Sequence, residues 1–562
     1  MWNCESVSVS GELFLPEGFE STVFIDSIPE TVRHIAVDAT GKVYAKFNKP
    51  SDRGVLIALK DVTNDGVADS IIPFGNYSAP QKGGYSTAAR IYEGYLYFSS
   101  RLAVYRYKLN ADTMIPAGPL ETVVLDDHSH GSHEHIAKPI AFDNDGNLYV
   151  PFGAPSNACQ EPKRTPFQAG LNPCPQLIDH AGIWKFDAHQ LNQTQADGER
   201  YATGIRSLVA MDWNMQENCL FAVVHGRDDL LRLWPDRYSA WQSAVLPSEE
   251  FIRIEKGDDF GWPYCYYDQI QEKKVLAPEY GGDGEKIGAC GTYKNPIMGF
   301  PGHWAPNDLV FYDGEHFPEH YKNGAFIAFH GATNRAPYPQ AGYFVGFVPF
   351  QNGWPTGEWE IFADGFAKVD TIVNVNDAIY RPMGIAFGKD GSMYIGDTEK
   401  GRIWRILYRG KRDQFGAKHR AAMELRKNLP HIKNPDIIKD KILVKNNQEV
   451  GEQAYTLYCA ICHQGNGKGA SGRFPPLANT DWVSGDKERL IKIILQGMEG
   501  SIEVNNETYN GIMPQHAFLD DSSIAEILTY IRSHFGNQAA PITEEEIAHV
   551  RKINIHNSDN TK

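Results

Sequence analysis

Along about the first four hundred positions, apolar and polar residues alternate in short runs that share one beginning. Each run opens with Gly or Asn, then any residue, then an apolar residue and an aromatic or second apolar one. The alternation that follows has the period of two typical of a half-buried β-strand. The copies start at Gly41, Gly94, Gly146, Asn218, Gly324 and Gly391, and are 53, 52, 72, 106 and 67 residues apart.

Six copies spaced about fifty residues or more apart predict a six-bladed β-propeller, because a blade holds four short strands. A β-sandwich with repeated hairpins is the alternative. The lack of a helical pattern over the same stretch favours the propeller. The long fourth interval is expected to hold an insertion with Cys265 and Cys290, and the propeller should end near Ile406.

After position 447 the apolar residues recur with a helical period, as in the amphipathic run Lys487–Leu495. Asp520 and its neighbours are expected to cap a helix over Ile524–Phe535. These changes divide the chain into a mainly β domain over 1–408, a linker over 409–447, a small all-α domain over 448–537 and a tail over 538–562, helical only briefly.

The linker is basic in an otherwise acidic chain. Between Arg409 and Lys445 there are 11 Lys and Arg against 4 Asp and Glu, whereas the whole chain of 562 residues has a net charge of -16. The segment is therefore expected to follow a complementary acidic surface, with a membrane-surface tether as the alternative. The overall charge disfavours nucleic acid as a partner, and no apolar stretch is long enough to predict a transmembrane helix.

The segment Cys459-Ala-Ile-Cys462-His463 matches the attachment signature of a c-type haem. A redox dithiol is an alternative, and a structural zinc site would need a fourth ligand that is not obvious nearby. His463 is the predicted proximal iron ligand. Met513 is the predicted distal ligand, with Met498 as the alternative. Methionine–histidine ligation raises the reduction potential and suits electron transfer.

Over residues 448–537 this segment resembles a class I cytochrome c domain, with its order of helix, CxxCH, helix, Met and helix. In that resemblance, the Pro475-Pro476 loop supplies the carbonyl that accepts a hydrogen bond from the other ring nitrogen of His463. The resemblance implies haem c, attached through Cys459 and Cys462.

The remaining cysteines favour an oxidising compartment. Proximity favours the disulfides Cys159–Cys174 and Cys265–Cys290, with buried free thiols as the alternative, and Cys4–Cys219 is a further candidate pair. Covalent haem attachment and disulfides both indicate a periplasmic or other extracytoplasmic location. No signal segment precedes Trp2, so we expect one to have been removed; Cys4 is read as an ordinary cysteine, with lipid anchoring as the alternative.

Four histidines occupy eight positions in His128-Ser-His-Gly-Ser-His-Glu-His135. Such a run suits a metal site or a general base, since imidazole titrates near neutral pH. Arginines also recur at the predicted blade edges, at Arg206, Arg335 and Arg381. Together they suit a small polyanion in the propeller channel, although each alone is more often a surface ion-pair partner.

Several strings keep one order and spacing: Gly146-Asn-Leu-Tyr-Val150, Ala202-Thr-Gly-Ile-Arg206, His225-Gly-Arg-Asp228, Gly261-Trp-Pro-Tyr-Cys265, His303-Trp-Ala-Pro306 and His330-Gly-Ala-Thr-Asn-Arg335. They resemble the pyrroloquinoline quinone (PQQ)-dependent sugar dehydrogenases, specifically the soluble glucose and L-sorbosone dehydrogenase family. The resemblance covers about residues 12–408 and implies a six-bladed propeller.

The resemblance also implies roles for single residues. His135 would be the catalytic base, taking the proton from the C1 hydroxyl of a sugar lactol or hydrated aldehyde while hydride passes to PQQ. Arg206, a second catalytic candidate, would pair with PQQ carboxylates together with Arg335 and Arg381. Further implied cofactor contacts are His225, Trp304 as a wall of the cleft, and Gln81. Calcium would be held by PQQ and the carbonyls of Gly226 and Arg227.

A second calcium candidate is the segment Asp61-Val-Thr-Asn-Asp65-Gly-Val-Ala-Asp69. Its acidic spacing, with Gly at position six, imitates an EF-hand loop, but Ile72 stands where the bidentate Glu is expected. An Asx turn is the alternative.

These features predict a quinohaemoprotein that oxidises an aldose or aldehyde through PQQ and passes electrons to the fused haem, then to a downstream cytochrome or oxidase. One alternative is the same architecture acting on a non-sugar alcohol. The other is a non-catalytic propeller that docks a partner for electron transfer through the haem.

Overall fold

The computed structural model of the chain describes residues 11–76, 87–128, 133–437, 447–470, 474–513, 515–517 and 519–559. Of the positions singled out in the sequence, Cys4, Gln81 and the histidine at position 130 of the histidine-rich run lie outside the described residues. The chain divides into two compact units. The first comprises Met1–Leu230, Val245–Asn334 and Gln340–Asn434; the second comprises Leu231–Ala244, Arg335–Pro339 and Pro435–Lys562.

Six antiparallel sheets, each built on four strands, are the blades of the predicted propeller. Numbered in chain order, their strands are: blade 1, β2 (Val32–Val37), β3 (Val43–Ser51), β4 (Gly54–Lys60) and β5 (Ser70–Phe74); blade 2, β6 (Ala89–Tyr92), β7 (Tyr95–Ser99), β8 (Ala103–Lys108) and β9 (Glu121–Leu125); blade 3, β10 (Ala141–Phe142), β11 (Asn147–Phe152), β12 (Gly182–Asp187) and β14 (Glu199–Thr203); blade 4, β15 (Leu208–Asn214), β16 (Cys219–Val224), β17 (Glu249–Ile254) and β20 (Met298–Phe300); blade 5, β21 (Pro306–Phe311), β22 (Ala325–Phe329), β23 (Phe344–Val348) and β26 (Glu360–Ala363); blade 6, β1 (Phe19–Ile25), β27 (Pro382–Phe387), β28 (Met393–Asp397) and β29 (Ile403–Tyr408). The six-bladed β-propeller is thus confirmed.

The repeated sequence pattern marks the same place in every blade. Each copy begins the second strand, and its first residue occupies the turn from the first strand. Gly41, Gly94, Gly146 and Gly391 have φ between 78° and 85° there, a left-handed conformation that glycine adopts without a Cβ clash. Blade 4 places Asn218 at φ 49°, and asparagine is among the few other residues that tolerate this region.

The propeller is closed by its N-terminal strand. β1 pairs antiparallel with β29, in a register that sets Phe19 opposite Tyr408, and so completes the last blade. Closure leaves only short, protected strand edges. Phe19 is buried against the rings of Phe317 and Phe362, whose centroids lie 4.8 and 5.1 Å away in T-shaped contacts. Aromatic packing between blades therefore anchors the closing strand.

Further short strands pair outside the four main strands of each blade. β18 (Cys265–Asp268) pairs with β19 (Lys273–Leu276) inside the predicted insertion, β24 (Phe350–Gln351) pairs with β25 (Trp354–Pro355), and β13 (Gln193–Thr194) runs parallel to β9. Both favoured disulfides, Cys159–Cys174 and Cys265–Cys290, are present. Cys219 is a buried free thiol.

Helices in the propeller sequence and just after it are short: α1 (Leu230–Leu233), α2 (Ala240–Val245) and α3 (Ala417–Arg426). In the basic segment, Arg420 pairs with Glu360, and Arg426 pairs with Asp364 at 2.5 Å. Met423 is buried in the same hydrophobic cluster as strands of blades 4 and 5. The segment up to Asn434 thus forms ion pairs with two acidic residues of the first unit.

The C-terminal domain is helical: α4 (Asn447–Tyr458), α5 (Ala460–His463), α6 (Asp481–Ser484), α7 (Lys487–Gln496), α8 (Asp521–Ser533) and α9 (Glu544–Asp559). Asp520 caps α8 by accepting from the backbone N–H of Ser523 at 2.7 Å. The prediction of a tail that is helical only briefly was wrong, because Ile547 and Val550 are buried in the domain core and extend α9 to 16 residues. The all-α prediction also missed a hairpin of β30 (Met498–Val504) and β31 (Glu507–Met513). Among the described helices of the chain, none is sufficiently long and apolar to cross a bilayer.

Candidate functional site

The haem-attachment segment folds into one tight turn of backbone. α5 starts immediately after Cys459 and carries Cys462 and His463, and neither cysteine belongs to a disulfide. Nδ1 of His463 lies 2.9 Å from the carbonyl oxygen of Pro475. A carbonyl only accepts, so Nδ1 carries the proton and Nε2 keeps the lone pair that an iron ion needs. The predicted hydrogen bond is present, and the residues fit a haem.

The two methionine candidates face each other across the new hairpin. Met498 opens β30, Met513 closes β31, and the two are directly paired in the strand register. Opposite residues of this kind lie about 5 Å apart. Met513 also packs against the hydrophobic core of the domain. This packing favours Met513 as the distal ligand.

In the propeller, Arg206 is the centre of a buried polar site. Its guanidinium donates to the Gly226 carbonyl at 2.6 Å, to Oδ1 of Asn157 at 2.8 Å and to Oδ2 of Asp228 at 2.8 Å. Arg206 lies two residues before the inner strand β15, whereas its partners come from two loops, one in blade 3 and one in blade 4. One side chain thus ties both loops to its own segment.

Asp228 is bonded to basic and amide side chains from several loops. Arg206 and Arg164 both pair with it, and the side-chain amide of Asn334 donates to it at 2.7 Å. Burial alone would raise the pKa of Asp228, but the two guanidinium groups outweigh burial and hold that pKa far below its usual range. Asp228 therefore stays ionised and keeps Arg206 in place.

Glu249 links two loops of the site through hydrogen bonds. Its carboxyl accepts from the backbone N–H of Gly226 at 2.9 Å and from that of Ala305 at 3.2 Å, so it ties together two of the strings that carry the family resemblance. Burial, reinforced by Asp228, raises the pKa of Glu249 to about 8. Sequence patterns gave no sign of this residue.

His135, the predicted base, lies in the same site. Its Nδ1 is 2.7 Å from the carbonyl of Ala154, which fixes the proton on Nδ1 and the lone pair on Nε2. Burial and then the positive charge of Arg206 lower the pKa of His135 well below its ordinary value. The imidazole is therefore neutral near pH 7 and able to accept a proton.

His225 is held in the same manner. Its Nε2 donates to the carbonyl of Pro306 at 2.7 Å, and burial, with Arg206 beside it, lowers its pKa to about 4.

Further basic groups of the propeller lie close to one another. Arg381 donates to the carbonyl of His330 at 3.1 Å, and burial followed by Arg381 and Arg33 lowers the pKa of His330 well below its ordinary value. Burial and then Arg33 lower the pKa of the fully buried Lys46 to about 7. The sequence analysis did not identify Arg33 or Lys46. Arg33 could have been found from its position, because it lies at the start of an inner strand, as Arg206 and Arg381 do.

One predicted site residue, Trp304, is placed elsewhere. Trp304 was expected to form a wall of the cleft, but it is fully buried among the rings of Phe300, Phe329 and Phe344 and has no face left for a substrate. Arg335 is also fully buried and belongs to the second unit.

The two predicted calcium sites differ in their surroundings. The Gly226 carbonyl already accepts from the Arg206 guanidinium, whose positive charge opposes a cation on the same oxygen. The predicted ligands therefore do not fit calcium in this arrangement. At the other candidate, carboxylate oxygens of Asp61, Asp65 and Asp69 lie within 4.8 Å of one another, and Asp61 also pairs with Arg405 at 3.3 Å.

A small cavity of about 30 Å³ borders Arg206, His225 and Gly226, which is room for about one or two water molecules.

A propeller with a buried cationic channel and a neutral histidine, fused to a CxxCH domain, defines a two-part redox protein. Residues 15–409 match the TrAA12-like family and residues 448–535 match cytochrome c. The chain belongs to the TrAA12-like family and carries a cytochrome c domain, which implies haem c. These matches confirm the resemblance drawn from the sequence.

Individual relatives match each of the two domains. Cytochrome c-552 of Thermus thermophilus is 40% identical over 102 residues, which cover 16% of this chain and 78% of that protein. A calcium structure of the Trichoderma reesei family AA12 enzyme aligns with a TM-score of 0.56 and 19% identity, covering 72% of this chain and 99% of that one. The holo pyranose dehydrogenase PQQ domain of Coprinopsis cinerea aligns at 0.54 and 17% identity, covering 70% and 97%. At such identities the two structures show a shared fold.

Proposed function

We propose that this chain is an extracytoplasmic quinohaemoprotein dehydrogenase that oxidises the C1 position of an aldose, or a hydrated aldehyde, and passes the electrons to its own haem. The observation that carries the proposal is the buried site where His135 lies beside Arg206, in a propeller fused to a cytochrome c domain.

The charge of the channel suits PQQ, which is a tricarboxylate. Arg33, Arg206 and Arg381 each lower the pKa of a neighbouring basic group, which marks a positive potential inside the channel. When bound, PQQ supplies an electrophilic quinone carbon that accepts hydride, and haem c supplies a one-electron relay. In this proposal Arg206 and Arg381 pair with the carboxylates of PQQ. Arg335 and His225 remain predicted contacts.

His135 performs the proton transfer in this proposal. With Nδ1 bonded to Ala154, Nε2 takes the proton of the C1 hydroxyl while hydride leaves C1 for the bound acceptor. The substrate becomes a lactone or a carboxylic acid, and His135 becomes an imidazolium. Asp228, which raises the pKa of His135, opposes the unfavourable effect of Arg206 on that cation. Positioned bases of this kind contribute about 10²- to 10⁴-fold to the rate.

The test is reduction of the haem by substrate. Haem-loaded protein is incubated with PQQ and calcium, an aldose is added, and the haem absorption is followed. We expect reduction, and we expect His135→Ala to slow it by about 10²- to 10⁴-fold. His189→Ala is the matched control, because His189 is an exposed histidine paired with Glu93, and it should keep the full rate.

The alternatives separate in the same assay. Reduction by simple alcohols but by no sugar or aldehyde would assign a non-sugar alcohol as substrate. No reduction by any sugar, aldehyde or alcohol would contradict the proposal and favour a propeller that only docks a partner. Asp61, Asp65 and Asp69 remain a separate calcium prediction, tested by whether Asp61→Asn lowers calcium binding.

A further inference from the structure

The segment that carries His135 is held by an arginine to which the proposed reaction gives no role. Arg164 lies in the loop between β11 and β12, inside the stretch closed by the Cys159–Cys174 disulfide. Its Nε and Nη2 atoms donate to Oε2 of Glu134 at 3.0 and 2.6 Å. Glu134 directly precedes His135, so this ion pair restrains the backbone next to the proposed base.

The same guanidinium also reaches the loop that follows β16. Nη1 of Arg164 donates to Oδ2 of Asp229 at 2.6 Å, and Nη2 donates to Oδ2 of Asp228 at 3.2 Å. Asp228 is in turn the carboxylate that pairs with Arg206 at 2.8 Å. Arg164 therefore connects the segment of His135 with the carboxylate that holds Arg206.

Arg164 thus serves three carboxylates from two chain segments. The N–H groups of a guanidinium lie in a rigid planar fork, which suits several acceptors at once. The side chain of Arg164 is 31% exposed and that of Arg206 only 5%, so Arg164 is the more accessible of the two. Burial and then Arg206 lower the pKa of His135, and Arg164 lowers it further, so Arg164 is near enough to act on the imidazole.

We propose that Arg164 is a positioning residue, which fixes His135 relative to Arg206 through Glu134 and Asp228; this role rests on the dehydrogenase function proposed above. In that function the C1 hydroxyl gives its proton to His135 while hydride leaves C1 for the bound acceptor. Both partners must therefore lie at a set distance from one carbon atom. A misplacement of about 1 Å can cost about 10²-fold in rate. Arg164 itself needs no contact with the substrate, so its loss should lower kcat.

The kinetic test compares Arg164→Met with the wild type, as haem-loaded protein supplied with PQQ, calcium and an aldose. We expect kcat for haem reduction to fall about 10- to 100-fold, with little change in KM. Arg164→Lys keeps the charge but not the planar fork, so it should recover only part of this loss. Arg53→Met is the matched control, because Arg53 is an exposed arginine paired with Glu30 at 3.3 Å, and it should keep the wild-type kcat. A change confined to KM would overturn the positioning role.

A double-mutant cycle tests the connection through Glu134. Glu134→Gln keeps the length of the side chain and removes the charge that pairs with Arg164. If the two residues act through one ion pair, the double variant should lose no more of kcat than the more damaging single variant. Losses that multiply would show that Arg164 acts independently of Glu134 and would overturn the proposed connection.

A measurement without PQQ separates this role from the dehydrogenase function. The Nδ1 proton of His135 is held by the Ala154 carbonyl at 2.7 Å, and its NMR signal is identified by its absence in His135→Ala. We expect Arg164→Met to speed the exchange of this proton with solvent by at least about 10-fold, because the segment opens more often, and Arg53→Met to leave it unchanged. Wild-type exchange together with wild-type kcat in Arg164→Met would refute the role.

The two possible failures are distinct. If the wild type reduces its haem with no substrate, the proposed function is wrong, and the exchange rate still decides whether Arg164 holds His135. If the wild type is active and Arg164→Met matches it in both measurements, only the role of Arg164 is wrong. Should Arg164→Met not fold, Arg164→Lys supplies both measurements.

Discussion

At the scale of single residues, the propeller site depends on one arginine that satisfies several acceptors at once. Arg206 bonds a carbonyl, an amide and a carboxylate from two loops. A lysine offers a point charge and cannot span these partners with a planar fork. Burial and then the same guanidinium lower the pKa of His135, and the guanidinium, together with Arg164, lowers the pKa of Asp228 against the effect of burial. Arg206 thus contributes to both the geometry and the protonation of the site.

Lys46 provides a pH-dependent prediction. Its pKa is about 7 in the folded protein, mainly through burial and then Arg33, against about 10.4 when unfolded. Between these values the unfolded chain binds one proton more, so the folded state gains stability as pH rises from about 7 to 10. We expect Lys46→Met to reduce this rise by at most a few kcal/mol, as measured by urea unfolding between pH 6.5 and 9.

Lys108→Met is the control for Lys46, because Lys108 is exposed on β8. It should leave the pH dependence of the unfolding free energy unchanged. Equal slopes in the wild type and in Lys46→Met would show that Lys46 is ionised normally.

At the scale of elements, the closing strand carries a large share of the propeller's cohesion. Phe19 contacts five aromatic rings with centroid distances from 4.8 to 6.2 Å. Removing a buried phenylalanine costs about 3–5 kcal/mol through lost burial and the cavity left behind. We expect Phe19→Ala to lower the free energy of unfolding of the propeller by that amount in denaturant titrations. Phe167→Ala, at a half-exposed ring, should cost under 1 kcal/mol.

Some elements of the structure could be predicted from the sequence, and others could not. The second strand of each blade was predictable because its turn needs a left-handed residue, and in blade 5 that residue is Asn323, one position before the Gly324 of the pattern. The hairpin β30–β31 was not predictable from the sequence. The strand pairing places Met498 opposite Met513, and the composition of the segment does not indicate this pairing. Similarly, no local pattern indicates that Glu249 bridges two distant loops, or that Trp304 turns into the core.

At the scale of the whole molecule, the proposed function joins two cofactor chemistries in one chain. In that proposal the propeller transfers a proton and a hydride, whereas the cytochrome domain transfers single electrons. The proposed proton acceptor is His135, and the residues proposed to set the haem potential are His463 and Met513. Because these groups belong to different domains, a change in one step should leave the other measurable.

Met513 allows the two steps to be separated. If Met513 is the distal ligand, loss of its thioether removes the group that raises the haem potential, so we expect Met513→Ala to lower the reduction potential by on the order of 0.1–0.3 V. With PQQ and an aldose, an added artificial acceptor should still be reduced, whereas reduction of the haem should slow. Met498→Ala is the matched control, because Met498 lies directly opposite in the hairpin and should keep both the potential and the rate. If Met498→Ala lowered the potential and Met513→Ala did not, the distal ligand would be Met498, and the circuit from propeller to haem would keep its order with a different iron ligand.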